Sequence, residues 1–172
     1  MLKTKCLLKK VFVAGALCLT TGLTSQVASA CDKIPESQTQ SINQLITRTN
    51  NIVIAQAKKP EIGGDGLYTV EFEVSDVLKG SQWSNFILQG KPTTPDKLGN
   101  DFNKHGDLQF WAYLNTGNFF RDKDCNLYGY FERGRQYLIF IDKPFHPKSF
   151  ELISSQEDSW LKEVKKQLEK AG

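Results

Sequence analysis

The apolar positions of this chain fall into two kinds of short run. Tyr68, Val70, Phe72 and Val74 alternate with Thr69, Glu71 and Glu73, the period-two signature of a strand with one buried and one wet face. The phase slips at Val77-Leu78, which predicts a bulge that bends the strand before Lys79-Gly80. Ile52-Val53-Ile54-Ala55 is a compact apolar run and reads as a buried strand, and Tyr137–Ile141 reads as a strongly apolar one. Trp83–Gln89 gives a further strand. Leu108, Phe110, Ala112 and Leu114 alternate and predict another, and Phe150–Ile153 makes a short last one. Pro60 and the Gly63–Gly66 cluster mark a turn, Pro144 and Pro147 bracket a second, and residues 90–107 read as a long loop. Residues 115–135 carry no clear period.

Helical spacing occurs at both ends of this strand region. Ile42, Leu45 and Ile46 share one face of a short helix predicted over Ser37–Thr49. A C-terminal helix is predicted from near Ser155, where Ser155 and Asp158 match a capping box. Its apolar face is Trp160, Leu161, Val164 and Leu168, and Lys165, Lys166 and Lys170 lie late, where they complement the helix dipole. About six sequential strands flanked by two helices predict a mainly β, antiparallel, OB-like barrel, with a β-sandwich as the alternative.

The first thirty residues follow a different pattern. Four lysines precede the nine-residue apolar run Val11–Leu19, and small and polar residues lead to Ala28-Ser29-Ala30 before Cys31. A basic head, a short apolar stretch and an A-x-A site predict a secretory signal peptide over residues 1–30. The polar residues after Leu19 leave the run too short to span a membrane. This segment changes how the charge is read. The 172-residue chain has a formal charge of +3, but residues 1–30 contain no acid, leaving 18 basic groups against 19 acidic ones in residues 31–172. A near-neutral exported chain has no electrostatic case for nucleic acid. The remaining stretch has one domain's length, and 11 Phe, 5 Tyr and 3 Trp suffice to fill its core.

Removing residues 1–30 also removes Cys6 and Cys18, leaving Cys31 and Cys125. In an oxidising compartment one pair allows one intramolecular disulfide. The same small residues before Cys31 also suit lipoprotein processing, which would acylate Cys31 and tether the chain to a membrane.

A candidate N-terminal cysteine, a short helix, an apolar strand, YTVEFEVSDVLKG (Tyr68–Gly80), a later cysteine and FERGRQYLIF (Phe131–Phe140) follow in that order. This arrangement resembles the bacterial relatives of the tissue inhibitors of metalloproteinases. The resemblance implies a single netrin-like OB-fold domain over residues 31–172. It also implies Cys31 as the inhibitory residue, chelating a target protease's zinc through its α-amine and carbonyl. The animal inhibitors begin Cys-x-Cys, whereas this sequence reads Cys31-Asp32-Lys33.

Chemistry-bearing residues are otherwise sparse. His105 and His146 stand in separate loops, read as exposed and without a functional role, and no H-x-x-x-H or C-x-x-C spacing offers a metal site. Asp122-x-Asp124-x-Asn126 matches the opening of a calcium loop. Leu127 and Arg133 stand where glycine and glutamate are required, so a solvated charged loop is expected. Arg121, Arg133 and Arg135 lie among Phe119, Phe120, Tyr128, Tyr130 and Phe131, which are expected to be barrel core with arginines as surface cover. The expectation is a non-enzymatic protein-interaction module, secreted or periplasmic, with no catalytic residue, cofactor or metal. Its partner would be a protein, such as a metalloprotease, rather than nucleic acid. The alternative is a lipid-anchored envelope module that binds an oligosaccharide or another envelope component.

Overall fold

The computed structural model describes residues 36–81, 84–98, 104–112, 117–122 and 126–171. Two short helices, α1 (Glu36–Thr39) and α2 (Ile42–Arg48), lead into β1 (Ile52–Ala57), β2 (Glu61–Ile62), β3 (Tyr68–Lys79) and β4 (Asn85–Pro92). A 3-10 turn (Pro95–Lys97), α3 (Leu108–Ala112), β5 (Phe119–Arg121), β6 (Leu127–Gly129), β7 (Gln136–Phe140), β8 (Phe150–Ile153) and α4 (Ser159–Ala171) complete the order. Ser41 and Gln44 cap α2 reciprocally, each side chain bonding the other's backbone N–H.

The strands form one curled sheet in the order β5-β6-β4-β3-β1-β7-β8, with β2 added on β3. All neighbours are antiparallel except β4 and β6, which run parallel at Lys91–Tyr128 and Pro92–Gly129. The two ends of the sheet meet: Asn118 Nδ2 donates to the Phe150 carbonyl at 3.0 Å, and the Phe119 and Phe150 rings pack 5.2 Å apart. Gly117 is required at this seam, because a Cβ there would lie 1.7 Å from the Pro147 carbonyl oxygen. The result is a mainly β, OB-like barrel with helices before and after it, as a run of strands between two helical ends predicts.

The long strand β3 bends to serve this closure. Its register against β1 slips twice, skipping Leu78 and Ser75. The first bulge falls where the phase of the sequence breaks, and at the second Ser75 Oγ donates to the Ile54 carbonyl at 3.1 Å.

Both faces of β1 and β7 are buried, which explains their unbroken apolar runs. Val53, Ala55, Tyr137 and Ile139 point into the barrel with Val70, Phe72, Phe119, Phe131 and Phe150. Ile52, Ile54, Leu138 and Phe140 point outward under a layer made by Leu45, Ile46, Phe110, Trp160, Leu161 and Val164. The helices cover this half of the barrel and leave the outer face of β3 and β4 bare.

Four expectations are corrected. Leu108–Ala112 is helix, not strand: Leu108 is 85% exposed, while Phe110 and Trp111 turn together onto Trp160 at 5.5 and 5.6 Å. Alternation over so few residues fits either period, and packing against α4 selects the helix. The helix predicted from near Ser155 begins at Ser159, with Asp158 as its cap, because Asp158 Oδ1 accepts from the N–H groups of Trp160 and Leu161 at 2.9 and 3.4 Å. The loop predicted over 90–107 starts later, because β4 runs to Pro92, and its described part includes the 3-10 turn at Pro95–Lys97. The stretch 115–135 contains the hairpin β5–β6, which together with β2 brings the sheet to eight strands among the described residues rather than about six. Trp83 and Leu114 lie outside the described residues.

Candidate functional site

The most concentrated chemistry is enclosed between β8, α3 and the head of α4. Phe150 and Leu152 pack toward the barrel interior while Ile153 packs in the helix layer, so alternation turns Glu151 toward that layer as well. Glu151 and the nearby Lys148 are both 0% exposed, and His105 is 5% exposed. His105 Nδ1 lies 2.7 Å from Asp158 Oδ1, and its Nε2 lies 3.5 Å from Glu151 Oε2. Lys148 Nζ is 4.0 Å from Glu151 Oε1 and 4.1 Å from the centre of the Phe110 ring, which itself packs against His105. The Trp111 indole N–H donates to the His105 carbonyl at 3.1 Å.

Charge decides what this cluster can do. Burial alone would lower the His105 pKa, but the hydrogen bonds and negative charge of Asp158 and Glu151 outweigh it and raise the value to about 9. Asp158 moves the opposite way. Burial pushes its carboxyl up, but the His105 contact and the backbone N–H groups of Leu161 and Ser154 hold it below the usual carboxylate range. Among the described residues, two basic side chains, His105 and Lys148, thus stand against two acidic ones, Glu151 and Asp158, in a buried site. Each ring nitrogen of His105 already faces a carboxylate, leaving neither free to take a proton from a substrate. The carboxylates sit at opposite ring nitrogens, and among the described residues no group of three or more His, Cys, Asp or Glu converges on a metal position.

His146 is buried differently. Its Nδ1 accepts from the Lys148 backbone N–H at 3.1 Å, so Nε2 carries the proton and donates to the Gln40 carbonyl at 3.0 Å. Burial lowers its pKa to about 4, reinforced by the Lys148 charge and opposed by the Gln40 bond. The expectation of two exposed loop histidines is thus corrected. Both belong to irregular segments, yet those segments pack under the helix layer, where the imidazoles satisfy backbone and carboxylate groups.

Other candidates separate. Cys31 and Cys125 lie outside the described residues, as does Asp124. Asp122 accepts from the Asn126 backbone N–H at 2.8 Å and from its side chain, so both close the β5–β6 hairpin. Phe119 and Phe131 are barrel core, as expected, whereas Phe120 and Tyr128 stack on each other at 5.5 Å, half-buried. Arg121 lies over the Phe145 ring at 5.8 Å, and Arg133 and Arg135 are exposed in the turn before β7.

The bare outer face of β3 and β4 is the second site. A shallow groove of about 300 Å³ is lined by Lys58, Lys59, Glu61, Thr69, Glu71 and Ile87, with Ile87 65% exposed. Lys58 pairs with Glu73 and Lys59 with Glu61 at 3.0 Å, while the Glu71 carboxylate accepts a hydrogen bond from the neutral Asn85 amide at 3.0 Å.

Sequence reasoning missed Lys148 and Glu151 and saw Asp158 only as part of a cap. The available signal was Glu151 itself, a lone acid inside the apolar run Phe150–Ile153. Among the described residues no helix is long and apolar enough to cross a membrane. No protein-family model matches the chain, and no curated protein matches it.

Proposed function

We propose that the chain is an exported, non-enzymatic protein-interaction module. The observation that carries this reading is the uneven covering of the barrel. Helices bury the outer face of β1 and β7, while β3 and β4 present an open face whose shallow groove sets Ile87 beside two ion pairs and Glu71. An apolar contact rimmed by two ion pairs and the Glu71 carboxylate suits a protein surface that brings a donor to that carboxylate. The histidines support the same reading, because both are engaged by the fold's own groups.

The more specific form is metalloprotease inhibition through Cys31, which rests on the order of Tyr68–Gly80 and Phe131–Phe140 in the sequence. The test adds the mature chain starting at Cys31 to a panel of zinc endopeptidases, with its α-amine either free or carbamylated. The expected result is inhibition by the free-amine form alone, since zinc chelation needs an unblocked nitrogen lone pair. Inhibition by neither form contradicts it. Recovery of acylated Cys31 from membranes also contradicts it and favours the lipid-anchored envelope module.

A further inference from the structure

We propose that the protonated ring of His105 is a latch that holds α4 on the barrel, and that losing this proton releases the helix from the outer face of β1 and β7.

The latch ties the segment of His105 to β8 and to the head of α4, which follows β8 after five residues. Asp158, from the head of α4, bonds Nδ1, and Glu151, from β8, faces Nε2. Behind Glu151 stands Lys148, from the turn before β8, while α3 contributes the Phe110 ring and the Trp111 indole. A charged imidazole donates from both nitrogens and satisfies both carboxylates together. A neutral imidazole donates from one only and turns a lone pair toward the other carboxylate. When the ring gives its proton to a base in solution, the site loses one positive charge while both carboxylates stay in place, almost wholly out of water.

Asp158 transmits this imbalance to the helix. The same oxygen that meets His105 caps α4 through the N–H groups of Trp160 and Leu161. Moving Asp158 into water to solvate its charge draws the first turn of α4 with it, and Trp160, Leu161 and Val164 follow, since all belong to one apolar cluster. Ile52, Ile54, Leu138 and Phe140 are the side chains that lose their cover. The raised pKa of His105 places the release on the alkaline side of neutrality, near pH 9.

The test is amide hydrogen exchange on the wild-type chain, residues 31–172, from pH 7 to pH 10, corrected for intrinsic exchange and read with tryptophan emission. The expected result is a loss of protection in α4 of roughly tenfold or more above pH 9, with red-shifted emission, while β1 and β3 stay protected. His105→Gln, which cannot carry the charge, shows the released α4 at pH 7 and no further step. Glu151→Gln replaces the carboxylate at Nε2 with a neutral amide that can donate to the lone pair of the deprotonated ring, and abolishes the step without relying on the first variant's folding. Full α4 protection through pH 10 overturns the proposal. So does simultaneous loss of protection in α4 and the barrel strands, or an unchanged step in Glu151→Gln.

Discussion

Phe72 sits at the centre of the barrel, with the rings of Phe86, Phe131, Tyr137 and Phe150 at 5.2, 5.1, 6.0 and 6.4 Å. Its neighbour Glu71 points out to the platform. Phe72→Ala is therefore expected to cost about 3–5 kcal/mol in urea unfolding and Glu71→Ala less than about 0.5 kcal/mol, a contrast that equal effects would contradict. Asp158 serves two purposes, as helix cap and as partner of a buried cation. Asp158→Ala loses both and is expected to cost about 2–4 kcal/mol. Asp158→Asn keeps a capping oxygen but removes the charge and costs less; an alanine variant as stable as wild type would show that neither contact matters.

Among the elements, α4 joins the two halves of the helix layer. Trp160 meets Phe110, Trp111 and Phe140 with ring centroids 5.5–5.9 Å apart. Deleting residues 156–172 is expected to expose the apolar side of β1 and β7 and lower the melting temperature, and an unchanged Tm would mark the helix as a dispensable tail. The face of α4 was legible in the sequence because Trp160, Leu161, Val164 and Leu168 repeat at helical spacing over more than two turns. β3 was legible for the corresponding reason, seven residues in clean alternation. α3 was not, since its five residues fit both periods and its conformation is fixed by a partner about fifty residues away. The strands β5 and β6 have three residues each, too few for any period, and Gly129 needs close approach to Phe119, Phe131 and Tyr68 that no local pattern signals. The charged cluster escaped for a similar reason. Its members come from residues 105, 148, 151 and 158, and only tertiary packing brings them together.

At the scale of the whole molecule the two histidines give stability opposite pH dependences. His105 is raised to about 9, so its contribution is complete below the unfolded value of 6.5 and is lost as pH rises toward 9. His146 is lowered to about 4, so its contribution is complete above 6.5 and is lost as pH falls toward 4. Each is worth on the order of 3 kcal/mol, and chemical unfolding across pH 4–10 is expected to show a maximum near pH 6.5 with losses on both sides. A monotonic profile would contradict one of the two assignments. The proposed export makes a separate prediction: the mature chain is expected to start at Cys31 and to gain about 2 Da on reduction of a Cys31–Cys125 disulfide, whereas an acylated mass would place it on a membrane. The central claim, that both imidazoles are held by the fold and neither is left free for chemistry, is tested most directly by an NMR titration of their ring protons. The result expected is one ring titrating near pH 9 and the other near pH 4, with none near 6.5. Two histidines titrating together near 6.5, as exposed imidazoles do, would contradict it.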